Sequence, residues 1–599
     1  MEQEKISCVI ERFEEIAKDR PERTALIFQD RIINYKELDE ASNKIAARLN
    51  DLGINDSLIG ICFNRNPNIL VAILAVWKTG NAYVPLDPDY PMQRLEYIVK
   101  DAHIPVILFD KETVNTVDSL EVPKLINLDE SFDLSEGFSV QLPESNDSAY
   151  AIYTSGSTGN PKGVLISHGA FANFINSMVH CPGISENDKV LFNTTISFDI
   201  STLEMFLPLV VGATIVMSPY GSIGGGGLLA SLIDENGVTI AQGTPSMWQM
   251  LIDSGWNGSK DIKILSGGEA ISSELAKELL VRCDSLWNMY GPTETTVWSM
   301  VSKIESSDDI NLGAPVDNTT IYILDENMKL VKPGESGELF IGGAGLSKGY
   351  IGRDDLTAER FISGTSEIDE KIYKTGDIVS LGLDGKIVYQ GRADFQVKLR
   401  GHRIELGEIE SAIAEYPSIK HAAVVLRENN NGDKQLVAFY TLKDDEDNVD
   451  DALIKSSIEN KLPSYMIPYT YICVDSFPLT ANGKLDRKAL MTMDVEIVAK
   501  VKEFIEPRNE FEEIIAEIWC QLLNTDKVSV NDDFLELGGH SLLANRLVMK
   551  INKDFGTTIK LVEIFSRPMT VEEMAILVEE NMLSNLSEEE LAELMKDQE

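Results

Sequence analysis

The sequence predicts an α/β unit followed by a small α+β lobe and a small helical unit, and three observations carry that prediction. From residue 20 to about 390, short apolar runs alternate with amphipathic stretches. Near Asp394 the pattern contracts to strand–helix–strand, and beyond a polar segment, EFIEPRNE (503–510), the apolar spacing becomes helical. A chain of 599 residues is also too long for one hydrophobic core and is expected to divide into three or four folding units.

The strand-like runs of the first stretch are ALIF (25–28), LIGICF (58–63), PVILF (105–109), VLFN (190–193) and ATIVM (213–217). Helical spacing between them, as in LDEASNKIAARLNDLG (38–53), predicts buried sheets covered by helices. SIGGGG (222–227) lacks the spacing of a dinucleotide fingerprint and reads as a flexible surface turn. In the second stretch FQVKL (395–399), IELGEIESAIAEY (404–416), HAAVVLRE (421–428) and QLVAFYTL (435–442) follow one another closely. In the third, Phe511, Ile514, Ile515, Ile518, Trp519 and Leu522 fall on one helix face, a packing surface rather than a cofactor box. LSEEELAELMKDQE (586–599) opens with a capping-box signature, Ser587 to Glu590, and reads as an acidic tail helix, solvated or used in docking.

Composition narrows the function. The chain is 43% hydrophobic and 25% charged, as globular proteins are, with a formal net charge of −43. Such acidity argues against nucleic acid or an anionic membrane as a bulk partner, and it gives weight to the few Lys and Arg inside motifs. Six cysteines (8, 62, 181, 283, 473 and 520) form no CxxC pair, which points to reduced thiols rather than a disulfide framework or a zinc site. The N-terminus does not read as a signal peptide, and no apolar run approaches the ~20 residues that cross a bilayer. A soluble, cytoplasmic monomer is expected.

Two segments carry chemistry. YTSGSTGNPKGV (153–164) offers glycines that let a backbone approach phosphates, with Thr154, Ser155, Ser157, Thr158 and Lys162 as donors. It does not satisfy the Walker A spacing. In DDFLELGGHSLL (532–543), Ser541 follows a Gly538–Gly539 turn. This is not a hydrolase elbow, because Leu543 stands where GxSxG needs glycine, and His540 has no evident orienting acid.

The first segment resembles the phosphate loop of adenylate-forming enzymes, and the second resembles the phosphopantetheine site of a peptidyl carrier domain. INYKEL (33–38), WKTGNAYVPLDPDYP (77–91), NMYGPTE (288–294), YKTGD (373–377), GRADFQVKLRGHRIELGEIE (391–410) and NGKLDR (482–487) extend the resemblance in order over nearly the whole chain. The sequence is thus similar to an adenylation–carrier didomain of nonribosomal peptide synthesis. That resemblance implies a large α/β core over 1–393, a small mobile α+β lobe over 394–495 and a linker over 496–508. A four-helix carrier bundle over 509–581 and a tail helix over 582–599 complete it.

It also implies roles and cofactors: ATP, Mg²⁺ and 4′-phosphopantetheine. Tyr290 stacks on adenine with Asn288 at its edge, Thr293 meets phosphate, and Glu294 holds Mg²⁺, a hard cation that needs an oxygen ligand. Gly268, Glu269 and Gly291 belong to the same nucleotide set, Asp377 accepts the ribose hydroxyls, and Arg392 contacts the nucleotide. Asp394 is the hinge about which the small lobe turns between adenylation and thioester formation. Lys484, which alone would read as a solvated turn residue, becomes the catalytic lysine bridging substrate carboxylate and α-phosphate. Ser541 takes the arm from a phosphopantetheinyl transferase.

In SFDISTLEM (197–205) the resemblance places Asp199 on the α-ammonium of an amino acid, where the substrate supplies the cationic partner a buried carboxylate needs. The pocket set is Asp199, Ile200, Leu203, Gln242, Ile264, Ser266, Met289, Val297, Trp298 and Lys484, close to the pattern of glycine-activating members. Leu203, Met289 and Trp298 are bulky and are expected to fill the side-chain space, and nothing acidic or basic remains for a charged side chain. Ser266 and Met289 depart from the usual Gly and Leu, which leaves alanine or serine open. An acyl- or aryl-acid ligase and a non-catalytic carrier scaffold are the competing readings. With no segment left for condensation, thioesterase or reductase domains, the thioester is expected to pass in trans to a condensation domain or tailoring enzyme. A small MbtH-like activator is a further possible partner.

Overall fold

The computed structural model describes residues 6–130, 139–156, 159–219, 226–365, 367–394, 396–428, 434–443, 449–478, 485–493, 504–523, 525, 527–534, 537, 541–557, 559, 563–564, 567 and 569–584. Strand-forming runs organise the first half into two sheets. In spatial order the nine-stranded sheet is Ala314–Pro315, Met300–Ile304, Ser285–Tyr290, Lys263–Gly267, Ile240–Gly243, Lys189–Phe192, Thr214–Met217, Thr24–Phe28 and Arg31–Asn34. The strands from Ser285–Tyr290 to Thr24–Phe28 run parallel, and the strands outside them are antiparallel. The seven-stranded sheet runs Gly349–Tyr350, Lys162–Ser167, Ser148–Thr154, Ala82–Pro85, Leu58–Cys62, Val106–Phe109 and Lys124–Asn127.

Strands such as Val106–Phe109 and Ala82–Pro85 are buried at every position, as parallel strands covered on both faces must be. Helix Asn68–Trp77, NILVAILAVW, is apolar all round and almost wholly buried. It lies in a core that joins Leu26 and Ile215 of the larger sheet to Ile59 and Val106 of the smaller. At its end Trp77 packs 4.5 Å from Phe206 and donates from Nε1 to the Ala149 carbonyl at 2.8 Å. The next residue, Lys78, is fully buried and is paired with Glu14 at 2.7 Å and with Asp39.

Expected and observed elements differ where tertiary pairing decides. The helix expected over 38–53 spans Tyr35–Asp51, because Asn34 and Glu37 form a capping box that starts it a turn earlier. The α/β alternation expected to about residue 390 ends sooner. Thr319–Leu324, Ser336–Gly343, Lys371–Leu381, Phe361–Ser363 and Ile387–Arg392 form an antiparallel sheet, most of whose links are short, while the longer link 344–360 carries helix Asp354–Arg360. Of the glycine-rich stretch read as a turn, residues 222–225 lie outside the described residues, while Gly226 and Gly227 begin helix Gly226–Asn236. Leu229, Ala230 and Ile233 of that helix are buried, and their packing outweighs the poor helix propensity of glycine.

The small lobe starts with the hairpin Gln396–Leu399/His402–Glu405, so Ile404 and Glu405, expected in a helix, are strand residues. Helix Leu406–Ala414 follows, and Ile419–Glu428, Lys434–Leu442 and Thr470–Cys473 form a three-stranded sheet. The carrier unit contains helices Glu510–Leu523, Ser541–Phe555 and Val571–Ser584 around their own core. Within it Ile515, Ile518 and Trp519 are buried, and Phe511, Ile514 and Leu522 are partly buried on the expected face. The tail signature Ser587–Glu590 lies outside the described residues. Among those described, no helix is long and apolar enough to cross a membrane.

Trp519 sits fully buried, its ring 4.8 Å from Phe534. Trp519→Ala is expected to destabilise the carrier unit by about 3–5 kcal/mol. Calorimetry of the whole chain checks this: a carrier transition moves down while the transition of the large lobe stays.

Candidate active site

The site lies at the carboxyl ends of the parallel strands, where the order of the nine-stranded sheet reverses. Strand Lys189–Phe192 has the next strand, Thr214–Met217, on one side and Ile240–Gly243 on the other. Such a switch point opens a crevice that strand-end loops line. Asp199 and Ile200 come from the loop after Lys189–Phe192, Gly268 from the end of Lys263–Gly267, and Gly291 and Thr293 from the end of Ser285–Tyr290. These line one cavity with Phe198, Trp298, Asp377 and Arg392, and the small lobe closes it with Gln396, Lys398, Gly401 and Arg403.

At its acidic end Asp199 is almost fully buried. Burial raises its carboxyl to about 6, against a lowering hydrogen bond from Thr293 and a raising field from Glu294. A cation brought to Asp199 relieves that cost. Gln242 holds the wall beside it: its amide donates to the Ile200 carbonyl at 2.8 Å and to Glu204 at 3.0 Å, while its Oε1 accepts from Trp298 Nε1 at 2.8 Å. Trp298 is therefore fixed. A Cβ on Gly267 would lie 2.5 Å from its indole, so the ring packs where only glycine leaves room. Thr296 and Val297 precede it at φ 64° and 67°, a left-handed conformation that is costly for β-branched residues and held by the surrounding contacts. Leu203, Met289 and Val297 belong to the core that joins the sheets, and Ile264 to a second core, so they back the pocket rather than line the open cavity. Ser266 is fully buried beside them.

A cluster of buried charge beside this cavity centres on Glu294. This carboxylate is fully buried and accepts from Arg403 Nη1 at 2.8 and 3.0 Å and from the Tyr350 hydroxyl at 2.7 Å, with Lys162 Nζ at 3.6 Å. Burial pushes its carboxyl up, but Arg403, Lys162 and Tyr350 together hold it well below the usual range. An ionised buried oxygen donor that needs positive charge fits a hard divalent cation. Lys162 is lowered to about 8 by burial and by Arg403, with Glu294 opposing. Thr154 Oγ1 is buried without a partner among the described residues, a free hydroxyl in the expected phosphate loop.

At the ribose end, Asp377 accepts from Arg392 Nη1 at 2.8 Å and from the Tyr290 hydroxyl. Arg392 also grips Asp394 through Nε and Nη2 at 2.7 and 2.8 Å. Asp394 thus follows the end of strand Ile387–Arg392 immediately before the small-lobe hairpin begins at Gln396. Asn288 donates to the Asn311 carbonyl at 2.8 Å, and Glu269 accepts from Ser246 at 2.9 Å and from the Gly401 amide at 2.7 Å.

Lys484, Ser157 and Thr158 lie outside the described residues. Ser541 is the first residue of helix Ser541–Phe555. The segment 391–410 also carries Lys398, Gly401, Arg403 and Glu408, to which the resemblance assigns no role, unlike Arg392 and Asp394. Lys398 Nζ lies 5.8 Å from the Tyr290 ring, and Gly401, at φ 83°, passes so close to Thr244 that a Cβ would come within 2.4 Å. Nothing in the sequence marked Arg94 or Tyr350, which reach the site only through the fold.

Comparison with known proteins agrees with this geometry. The model of the AMP-binding enzyme family matches residues 13–351, that of the AMP-binding enzyme C-terminal domain matches 408–484, and that of the phosphopantetheine attachment site matches 513–578. The chain belongs to the AMP-binding enzymes, as an adenylation unit fused to a peptidyl carrier unit. By class it is an ATP-dependent, AMP-forming amino acid ligase that uses Mg²⁺ and 4′-phosphopantetheine.

Among its relatives, a dimodular nonribosomal peptide synthase of Bacillus subtilis (strain 168) is 40% identical over 577 residues, covering 94% of this chain and 24% of the relative. Tyrocidine synthase 3 of Brevibacillus parabrevis is 36% identical over 576 residues, covering 94% of this chain and 9% of the relative. The chain therefore spans about a quarter or less of these relatives. Among solved structures, a nonribosomal peptide synthetase protein with adenylation and PCP domains, bound to a vinylsulfonamide inhibitor, gives a TM-score of 0.78 at 26% identity, covering 96% of this chain and 97% of that one. A four-domain nonribosomal peptide synthetase bound to AMP and glycine gives 0.62 at 37%, covering 96% of this chain and 42% of that one.

Because the Asp199 carboxyl is raised to about 6, the form that attracts an ammonium is complete above that pH and is lost below it. The KM for an ammonium-bearing substrate is expected to rise about tenfold per pH unit below pH ~6, as titration of one required carboxylate dictates. Pyrophosphate-exchange kinetics from pH ~5 to pH ~8, the window around that carboxyl, check this. A flat KM excludes Asp199 as the ammonium partner.

Proposed function

We propose that this chain activates glycine with ATP to glycyl-AMP and pyrophosphate and transfers the glycyl group to the phosphopantetheine thiol on Ser541. The observation that carries the reading is the acid pocket: a buried Asp199 in need of a cation, facing a Trp298 pinned by Gln242 and backed by Gly267. Because the indole cannot swing away, little space remains for a side chain on the bound ammonium acid. Even so, an apolar wall rejects one extra methyl by only about 1–3 kcal/mol, so alanine is the nearest competitor.

In the first step the substrate carboxylate is itself the nucleophile, and its oxygen attacks the α-phosphorus as pyrophosphate leaves. No general base is required, so catalysis rests on position and charge. Asp199 holds the ammonium, Thr293 and Lys162 the phosphates, Asp377 the ribose hydroxyls, Tyr290 and Asn288 the adenine, and Lys484 bridges carboxylate and α-phosphate. Thr154, Ser155, Ser157, Thr158, Gly268, Glu269, Gly291 and Arg392 complete the nucleotide contacts in this reading. Glu294 would hold Mg²⁺, which would supply positive charge against the triphosphate. In the second step Ser541 would carry the arm, whose thiol would take the acyl group as AMP leaves with the phosphate oxygen.

We place unit boundaries at 393, 495 and 508, with Asp394 as hinge. A sheet that ends at Arg392 and a hairpin that starts at Gln396 support the first, while the boundary expected at 581 falls inside helix Val571–Ser584. A phosphopantetheinyl transferase is the expected modifying partner and a condensation domain the expected acceptor. We also place the reaction in the cytoplasm, consistent with six cysteines, Cys8, Cys62, Cys181, Cys283, Cys473 and Cys520, none of them in a disulfide.

Intact-protein mass after phosphopantetheinylation, with ATP, Mg²⁺ and mixed amino acids, tests the reading. One glycyl unit on the arm is expected; a larger aminoacyl gain refutes the pocket assignment. Ser541→Ala is expected to keep amino-acid-dependent pyrophosphate exchange and to lose covalent loading completely, and any loading that survives places the arm elsewhere.

A further inference from the structure

Glu204 is a buried acid to which the reaction assigns no task. It lies in helix Ser201–Leu209, has no exposure and does not line the open cavity. Four donors converge on its two oxygens. Oε2 accepts from the Asn193 and Thr194 amides at 3.0 and 2.9 Å, and Oε1 accepts from the Thr194 hydroxyl at 2.6 Å and from the Gln242 side chain at 3.0 Å. A side-chain amide has a donor end and an acceptor end, and its surroundings decide which way it faces. Glu204 Oε1 and the Ile200 carbonyl are both acceptors, so together they hold the Gln242 nitrogen and turn its oxygen to the Trp298 indole N–H, 2.8 Å away. Reversed, the amide would set donor against donor at Trp298 and leave two buried acceptors without it.

We propose that Glu204 determines substrate size selectivity at a distance: it fixes the direction of the Gln242 amide, and that amide tethers the indole which limits the side chain of the bound amino acid. The inference rests on reading Trp298 as the wall of an amino acid pocket, and it deepens that reading by moving control of the wall to a residue that touches no substrate. Glu204 is a positioning residue in this scheme, acting through Gln242. Replacing it with glutamine keeps its shape and breaks the polarity of the relay. The new amide must turn its oxygen to the Asn193 and Thr194 backbone amides, which cannot reverse, so its nitrogen faces Thr194 and Gln242. The Thr194 hydroxyl can rotate to accept, but the Gln242 nitrogen cannot accept at all. Gln242 relieves that conflict by reversing, and its reversed end releases the indole.

The test compares kcat/KM for glycine and for alanine in pyrophosphate exchange by the full chain. In Glu204→Gln the glycine-to-alanine ratio is expected to fall about tenfold, the low end of what excluding one methyl gives a pocket. The Trp298 indole N–H resonance, assigned by its loss in Trp298→Phe, is expected to exchange slowly with solvent in the wild type and fast in Glu204→Gln. Loosening of a merely structural kind lowers kcat for both substrates and leaves the ratio where it was. In a Trp298→Phe background, which has no indole N–H to tether, Glu204→Gln is expected to change the ratio no further. Glu204→Asp, which keeps the acid but withdraws its oxygen from Gln242, is expected to shift the ratio the same way and serves if the glutamine variant does not fold. An unchanged ratio in an active Glu204 variant overturns the relay, as does an equal shift in the Trp298→Phe background. A wild-type chain that prefers a larger amino acid overturns the glycine reading alone, and the ratio of that acid to the next larger one then decides the relay.

Discussion

Glu294 is the constraint from which the site is organised. A carboxylate with no exposure is tolerated only where positive charge and hydrogen-bond donors surround it. Here those groups come from separate parts of the chain: Lys162 from the strand after the phosphate loop, Tyr350 from the edge of the same sheet, and Arg403 from the small lobe. The two sheets and the small lobe therefore converge on one negative charge. Its neutraliser can be protein or metal, which links the electrostatics of the site to the position of the lobe.

The acid pocket rests on a different device. Its selectivity does not depend on the lining alone but on what fixes the lining. Gln242, one strand over from the Asp199 loop, ties the backbone of Ile200 to the indole of Trp298 and is itself anchored by Glu204. Glu204 accepts from the Asn193 and Thr194 amides and the Thr194 hydroxyl, so a buried acid that touches no cavity steadies the loop bearing Asp199. Preorganisation of this kind lets a site of few polar groups discriminate by shape.

The sequence made the architecture readable because apolar runs and amphipathic stretches differ in period, and it made Asp199, Glu294, Asp377 and Ser541 readable because they stand in contiguous motifs. What it hid has physical reasons. The antiparallel sheet that begins at Thr319 resembles the preceding strands run by run, and its antiparallel pairing is set by tertiary contacts that no single run displays. Arg94, Tyr350 and Arg403 are ordinary in local context. Each gains its role across long sequence separations, Arg94 with Glu408 and Tyr350 and Arg403 with Glu294, which no periodicity encodes. The left-handed Thr296 and Val297 are hidden for a related reason, since β-branched residues there run against local preference and are held by tertiary contacts.

The charge distribution completes the picture. A chain of net charge −43 repels a polyphosphate at long range, and salt screens that repulsion beyond about 10 Å. Close around the cavity stand Lys162, Arg392, Lys398 and Arg403, all largely buried and therefore little screened. Arg392 is held by Asp377 and Asp394, and Arg403 by Glu294, so their charge is partly committed before a nucleotide arrives. Lys398, whose ammonium burial disfavours, sits over the Tyr290 ring. The affinity of such a site for nucleotide is set by how much internal pairing must be given up. A lobe that carries part of that pairing away when it moves changes the affinity without any change in the residues of the large lobe.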